Sequence, residues 1–321
     1  MRTTHMGNAD GSDSSGATMR TVLLVFFLAI ALGGANAVAI RFTVKELPPF
    51  WGAALRFGGA AVICWAISLA RRAQLPPARG LPALVLFGLL NFGVAWAFIY
   101  TGLRTVEAGM AQVLMALTPL LTFFFAILHR QEAFRWRGLA GAMVALAGVA
   151  LVFLEHPKGG AALLPMLSII AGAACLGEGI VLLKRLPPMD PFILNASAMT
   201  IGAAGLLAFS RLMGETWRAP GLPVTWIAVL YLIVVGTVVF FSLLTYVIKR
   251  WKASASAYAL VIMPLETVAL SAWLTGEHLE PSLLLGGVLV LLGVWVGALS
   301  SPKAKPKPDA VAAVPVVGEA D

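Results

Sequence analysis

Apolar residues in this chain fall in blocks about twenty long, separated by short polar or basic connections, with no sustained strand-like alternation between them. A helix crossing a hydrocarbon layer needs about 20 mostly apolar residues, because its backbone polar groups must be satisfied within the segment. Such blocks occupy residues 22–43, 51–70, 82–103, 108–128, 138–154, 162–183, 191–211, 224–248, 253–275 and 282–300. The pattern predicts an all-α polytopic membrane protein with ten transmembrane helices. A transmembrane barrel would require alternation that is absent here.

The ends differ in kind. Residues 1–18 (MRTTHMGNADGSDSSGAT) are polar and rich in Gly and Ser, and residues 301–321 (SPKAKPKPDAVAAVPVVGEAD) alternate Pro with Lys before turning acidic. Both read as disordered tails. Between them the blocks divide into residues 19–154, a linker at 155–161, and residues 162–300. No short apolar stretch with a cleavage site precedes the first block, so no removable signal peptide is expected, and Met19 is an alternative start.

Composition agrees with the pattern. Hydrophobic residues make up 60% of the 321 positions and charged residues 12%, with a mean hydropathy of +0.89; a soluble domain carries about 25% charged residues. The net charge of +8 invites a nucleic-acid reading, but the basic residues sit in short connections, where anionic lipid headgroups explain them. No nucleic-acid partner is expected. With the N-terminus inside, sixteen of the 23 Lys and Arg fall in cytoplasmic segments, which places both termini in the cytoplasm of a plasma-membrane protein.

The chain repeats itself. KELPP at residues 45–49 is matched by KRLPP at 184–188, each closing one block and opening the next. A shift of 145 residues pairs Pro119 with Pro264, Glu132 with Glu277, Gly141 with Gly286 and Gly148 with Gly293. Each half therefore holds five helices, and because five is odd the second half must lie inverted relative to the first. Inverted five-helix repeats support two related conformations open to opposite sides, which is a transport architecture.

The stretches GGANAVAIRFTVKELPPFWGAALRF, AGMAQVLMALTPLLTFFFAILHRQEAFRWRGLAGAMVALAGVALV and SAYALVIMPLETVALSAWLTGEHLEPSLLLGGVLVLLGVWVGAL resemble the two EamA-type repeats of the drug/metabolite transporter superfamily. The resemblance spans nearly the whole chain between the tails. It implies ten helices, cytoplasmic termini, and efflux or exchange of small metabolites or drugs.

Charged and polar residues inside the blocks are the candidates for function. A carboxylate at a helix centre costs about 2.5–3.5 kcal/mol on insertion scales, so Glu266, in VIMPLETVALSAWL, must face protein or water, or be protonated. Glu178, between Gly177 and Gly179, is the second such residue. The sharper expectation is that Glu178 and Glu266 line one cavity and exchange protons for an amine-bearing or cationic cargo; the plainer one is that each bonds a neighbouring helix. Asn36 and Asn91 would bind ligand or bond across helices. Trp96 and Tyr100, four apart, share a helix face and would form a wall of the site or anchor at the membrane interface, a face that Asn91 does not share. Pro119 and Pro264 sit mid-span at matched places and would act as hinges. Arg41 and Arg56, near the outer ends of their helices, read as basic residues snorkelling to headgroups. GVWVG at 293–297 would serve helix association or a homodimer face.

Catalytic, metal and cofactor signatures are missing. The two Cys lie inside apolar blocks, the four His are not spaced as ligands, and no phosphate-binding loop occurs. The expectation is a secondary transporter exporting a small organic metabolite or drug, without a cofactor. An uncoupled facilitator or importer, an intramembrane enzyme or lipid-handling protein, and a scaffold remain the alternatives.

Overall fold

The computed structural model describes residues 10–155, 163–243, 259–276 and 281–299. Linker residues 156–161, the C-terminal tail, the basic residues 249–252, Tyr258 and Glu277 lie outside them. Every element among the described residues is helical. In the first half these are α1 (Asp10–Val44), α2 (Pro49–Ala70), α3 (Leu81–Gly88), α4 (Ala95–Gly102), α5 (Ala108–Met115), α6 (Thr118–Leu128) and α7 (Trp136–Glu155). In the second they are α8 (Leu163–Leu183), α9 (Pro191–Leu212), α10 (Pro223–Leu230), α11 (Ala259–Thr275) and α12 (Pro281–Val294).

Seven helical segments are long and apolar enough to cross a membrane, and three shorter apolar ones, Trp136–Val152, Ile262–Leu274 and Pro281–Gly297, occupy the other expected positions. α1 begins at Asp10, inside the polar stretch expected to be a tail, so the first helix extends beyond its apolar block. Once a helix is nucleated by the apolar segment, each further residue fixes one backbone unit for one hydrogen bond, without the cost of a new nucleus.

The helix starts follow from the sequence. Pro49, Pro191, Pro223 and Pro281 each open a helix, where a missing amide proton forfeits nothing. Asp190 caps α9, its Oδ1 accepting from the amide of Phe192 at 2.8 Å.

Two spans contain wide turns. Leu89–Val94, between α3 and α4, is π-helical, and so is Tyr231–Val239 after α10. Each lies in the third span of its half, and neither is marked by composition. The Thr237 hydroxyl donates to the Leu232 carbonyl at 2.7 Å, satisfying a backbone group within the wide turn.

α2 packs along α9, α7 along α12, and α1 along α11, so the principal contacts join one half to the other. At α7 and α12 the contact is made by glycines. A Cβ on Gly141 would meet the Gly293 carbonyl at 2.4 Å, and one on Gly148 would meet the Gly286 carbonyl at 2.6 Å. The GVWVG glycines therefore serve association within one chain, since Gly293 and Gly297 both abut Gly141.

The halves are also clamped at the end bearing Glu46. The Glu46 carboxylate accepts from the backbone amides of Gly221 and Leu222, while Arg218 donates to the Glu46 carbonyl at 3.2 Å. Glu215 accepts from the amides of Phe50 and Trp51 at 3.2 and 2.9 Å, satisfying the start of α2. Trp51 stacks on Trp217 with centroids 5.4 Å apart.

The Thr225 hydroxyl, which approaches without meeting hydrogen-bond geometry, and the Gly221 amide hold the Glu46 carboxyl below its ordinary value of 4.5. A lowered folded value means that the clamp is complete above 4.5 and is lost as pH falls through the folded value. Glu46→Gln is therefore expected to speed hydrogen exchange at the Gly221 and Leu222 amides by about tenfold at neutral pH. Wild type should approach the variant only under acid conditions; equal exchange at pH 7 would show that the clamp carries no free energy.

Candidate functional site

The site lies between the two halves, and glycines make it possible. Gly33 and Gly34 of α1 receive α11: a Cβ on Gly34 would stand 2.4 Å from Glu266 Oε2, and one on Gly33 would collide with Met263 and Phe240. Thr267 donates to the Gly34 carbonyl at 2.7 Å, fixing the register. Glu266 thus lies against the α1 backbone with Oε2 buried and unpartnered.

Asn36, one turn along α1, donates from Nδ2 to the Gly236 carbonyl at 3.2 Å, and its Oδ1 is buried without a partner. Tyr231 donates to the Leu32 carbonyl at 2.7 Å and lies within electrostatic reach of both Glu266 and Arg56. The wide turn of Tyr231–Val239 therefore faces α1 and α2 with Tyr231, Gly236 and Thr237.

Arg56 corrects the snorkelling expectation. It is 2% exposed, and its guanidinium points into the protein. Nε donates to Thr237 Oγ1 at 3.0 Å and Nη2 to the Gly236 carbonyl at 3.2 Å. The guanidinium carbon stands 4.5 Å from the Trp96 ring centroid and 5.1 Å from that of Phe57. Position along α2 alone could not reveal this, because the acceptors lie 180 residues away. Arg41, part-buried, donates from Nη1 to the carbonyls of Leu103 and Arg104 just past the end of α4.

Trp96 and Tyr100 share a face, their ring centroids 6.4 Å apart. Tyr100 is fully buried, which removes the interface-anchor reading, and its hydroxyl has no hydrogen-bond partner. Asn91, on the wide turn before α4, faces α8 instead: a Cβ on Gly179 would meet its Oδ1 at 2.6 Å.

Glu178 has other neighbours than Glu266. Its Oε1 lies 2.7 Å from Nε2 of His129, just past α6, and His129 Nδ1 lies 2.9 Å from Arg185 Nη2. The turn that brings His129 onto α8 has no local signal in the sequence.

The matched prolines behave differently. At Pro119 the fourth span breaks into α5 and α6, and the Thr118 hydroxyl takes up the Met115 carbonyl at 2.7 Å, the group Pro119 cannot bond. Pro264 lies inside the continuous α11.

A cavity of about 170 Å³ opens at the end bearing Arg71 and Asp190 and runs past Phe192 and Asn195 to Thr237 and Phe241. Its deep wall is the residue that holds Arg56. The opposite end is the one clamped by Glu46 and Glu215.

A family model for the EamA-like transporter family matches residues 20–154 and again residues 163–298. The chain belongs to this family. Its two matched segments are the two halves described above. An uncharacterized inner membrane transporter of Escherichia coli K12, YedA, is 30% identical over 264 residues, which cover 79% of this chain and 83% of the relative. A probable amino-acid metabolite efflux pump of the same organism is 24% identical over 290 residues, covering 84% and 92%. A solved crystal structure superposes with a TM-score of 0.58 at 21% identity, covering 87% of this chain and 98% of its own, and carries the likeness in fold. This EamA-like chain is accordingly a multi-pass membrane transporter.

Proposed function

We propose that the protein exports a small organic metabolite, carrying an amine, by alternating access between two inverted five-helix halves in the plasma membrane, with both termini cytoplasmic. The observation that carries this reading is the exchange of charged side chains across the boundary of the halves. Arg56 of the first half is held by Gly236 and Thr237 of the second, while Glu266 of the second lies against Gly34 of the first. A movement of one half against the other must remake both contacts. Transport sites in repeat-built carriers occupy this kind of boundary.

The cavity reaching Thr237 suits a route from the cytoplasmic face, and the Glu46 clamp suits closure toward the outside. Glu266 provides the acceptor for a cargo amine, and exchange of that amine for a proton would couple export to the inward proton gradient. The name of the efflux-pump relative supports amino-acid-like metabolites as the first cargo to test.

The test is uptake of amines and amino acids into sealed liposomes holding the purified protein, with and without an imposed pH gradient. Glu266→Gln is expected to lower gradient-dependent flux by about tenfold or more while leaving the fold intact. Full pH-dependent flux in the variant would remove the coupling role, and gradient-independent flux in wild type would leave an uncoupled facilitator.

A further inference from the structure

We propose that Arg56 and Tyr100 form a buried subsite for a single carboxylate group of the cargo. The inference rests on the transport reading and deepens it by assigning the end of the cargo opposite the amine. A guanidinium removed from water costs several kcal/mol unless a counter-ion accompanies it. Arg56 takes part in none of the ion pairs seen among the described residues, which include Arg71–Asp190, His129–Glu178, Arg135–Glu132 and Lys184–Glu132. Its aromatic neighbours offset part of the cost, as a ring face does for a desolvated cation.

Two donors are left over at this place. Arg56 Nη1 is buried without a hydrogen-bond partner, and so is the hydroxyl of Tyr100. The phenol stands near enough to the guanidinium for a loose hydrogen-bonding and coulombic interaction, but the two miss hydrogen-bond geometry, so neither satisfies the other. Two adjacent buried donors, one of them cationic, call for an anionic acceptor with more than one oxygen. A carboxylate matches the guanidinium fork and carries one negative charge. A phosphate monoester carries about 1.5 to 2, and a single cation between Trp96 and Phe57 would leave the excess uncompensated.

The surroundings agree. Thr237, which holds Arg56 Nε, also lines the cavity that opens past Arg71, so the guanidinium lies one residue behind the cavity wall. Glu266 does not neutralise Arg56; Tyr231 lies within reach of both charges, and its hydroxyl is occupied by Leu32. A zwitterionic cargo would set its carboxylate on Arg56 and its amine toward Glu266, whose Oε2 is buried without a partner.

Binding to the full-length protein in detergent tests this without reference to flux. The probes are leucine and leucinamide, benzoate and benzamide, and sodium chloride at equal ionic strength, read by the midpoint of thermal unfolding. Each acid is expected to bind about tenfold or more tightly than its amide. Tyr100→Phe, which removes only the hydroxyl, and Arg56→Lys, which keeps the charge but loses the fork, should each collapse that preference.

Equal affinity for acid and amide would overturn the proposal. So would no shift with either acid, a preference that survives both variants, or a chloride shift matching that of the acids, which would assign the site to an inorganic ion. An acid preference together with absent liposome flux would sink the transport reading and leave the subsite standing.

Discussion

Valine at position 141 is expected to destabilise the protein by about 3 kcal/mol or more, seen as a lowered thermal midpoint and a smaller folded fraction after membrane extraction. The first atom of any side chain there meets the Gly293 carbonyl and the N and Cα of Gly297, each at 2.4 Å. These are backbone atoms of a facing helix and cannot swing aside as a side chain would. Relief requires α7 and α12 to separate, and separation also opens the second crossing, where Gly148 meets the Gly286 carbonyl. Between helices in lipid there is no hydrophobic driving force to compensate, so close backbone approach is the source of the attraction that would be lost. Gly58→Ala provides the control: its Cβ would meet only Ala203, at 4.0 Å, and the change should be neutral or slightly stabilising. A wild-type midpoint for Gly141→Val would mean that the α7–α12 crossing is not the contact described.

That crossing was partly legible in the sequence. The glycine matches at an offset of 145 marked Gly141, Gly148, Gly286 and Gly293 as special, because glycine on a lipid-length helix has few uses besides close packing. The matches could not say which helices meet. The helical blocks were legible for a simpler reason, since hydropathy over about twenty residues is a sum that local detail does not disturb. The family resemblance rested on the same repeated Pro and Gly positions, and the matched segments 20–154 and 163–298 bear it out.

The site was less legible, and the reasons differ by residue. Glu266 declared itself as a lone charge in an apolar stretch, but its tolerance depends on Gly34, far away in the chain. Asn91 was judged on a period of 3.6 residues, whereas its segment, Leu89–Val94, is π-helical. Tyr100 lies near the end of its span, where aromatic anchors are common, yet it turns inward behind α2, where a Cβ on Gly52 would lie 3.7 Å from its ring. Arg56 suffered the same error more seriously, since its distance from a helix end suggested snorkelling and its partners, Gly236 and Thr237, lie on a wide turn that sequence does not mark.

Arg56→Met is expected to abolish transport of carboxylate-bearing cargo, by about a hundredfold or more, while leaving thermal stability equal to or above that of wild type. Ordinarily, removing a buried hydrogen-bonded charge orphans its partners and costs stability. Here it does not. The Gly236 carbonyl keeps Asn36 Nδ2, and the Thr237 hydroxyl keeps the Leu232 carbonyl. Nη1 had no partner to abandon, and the methionine side chain can fill the space between Trp96 and Phe57 with favourable sulfur–aromatic contact. Replacing buried ionic groups by apolar ones of similar volume is often neutral or stabilising by about 1–4 kcal/mol, so the arginine persists at a cost to the fold. Such a cost is accounted for by function, in the manner of other stability–activity conflicts. The measurement pairs the thermal midpoint with liposome flux on the same preparation. A large fall in the midpoint would make Arg56 a structural residue, and retained flux with an unchanged midpoint would remove it from the transport site altogether.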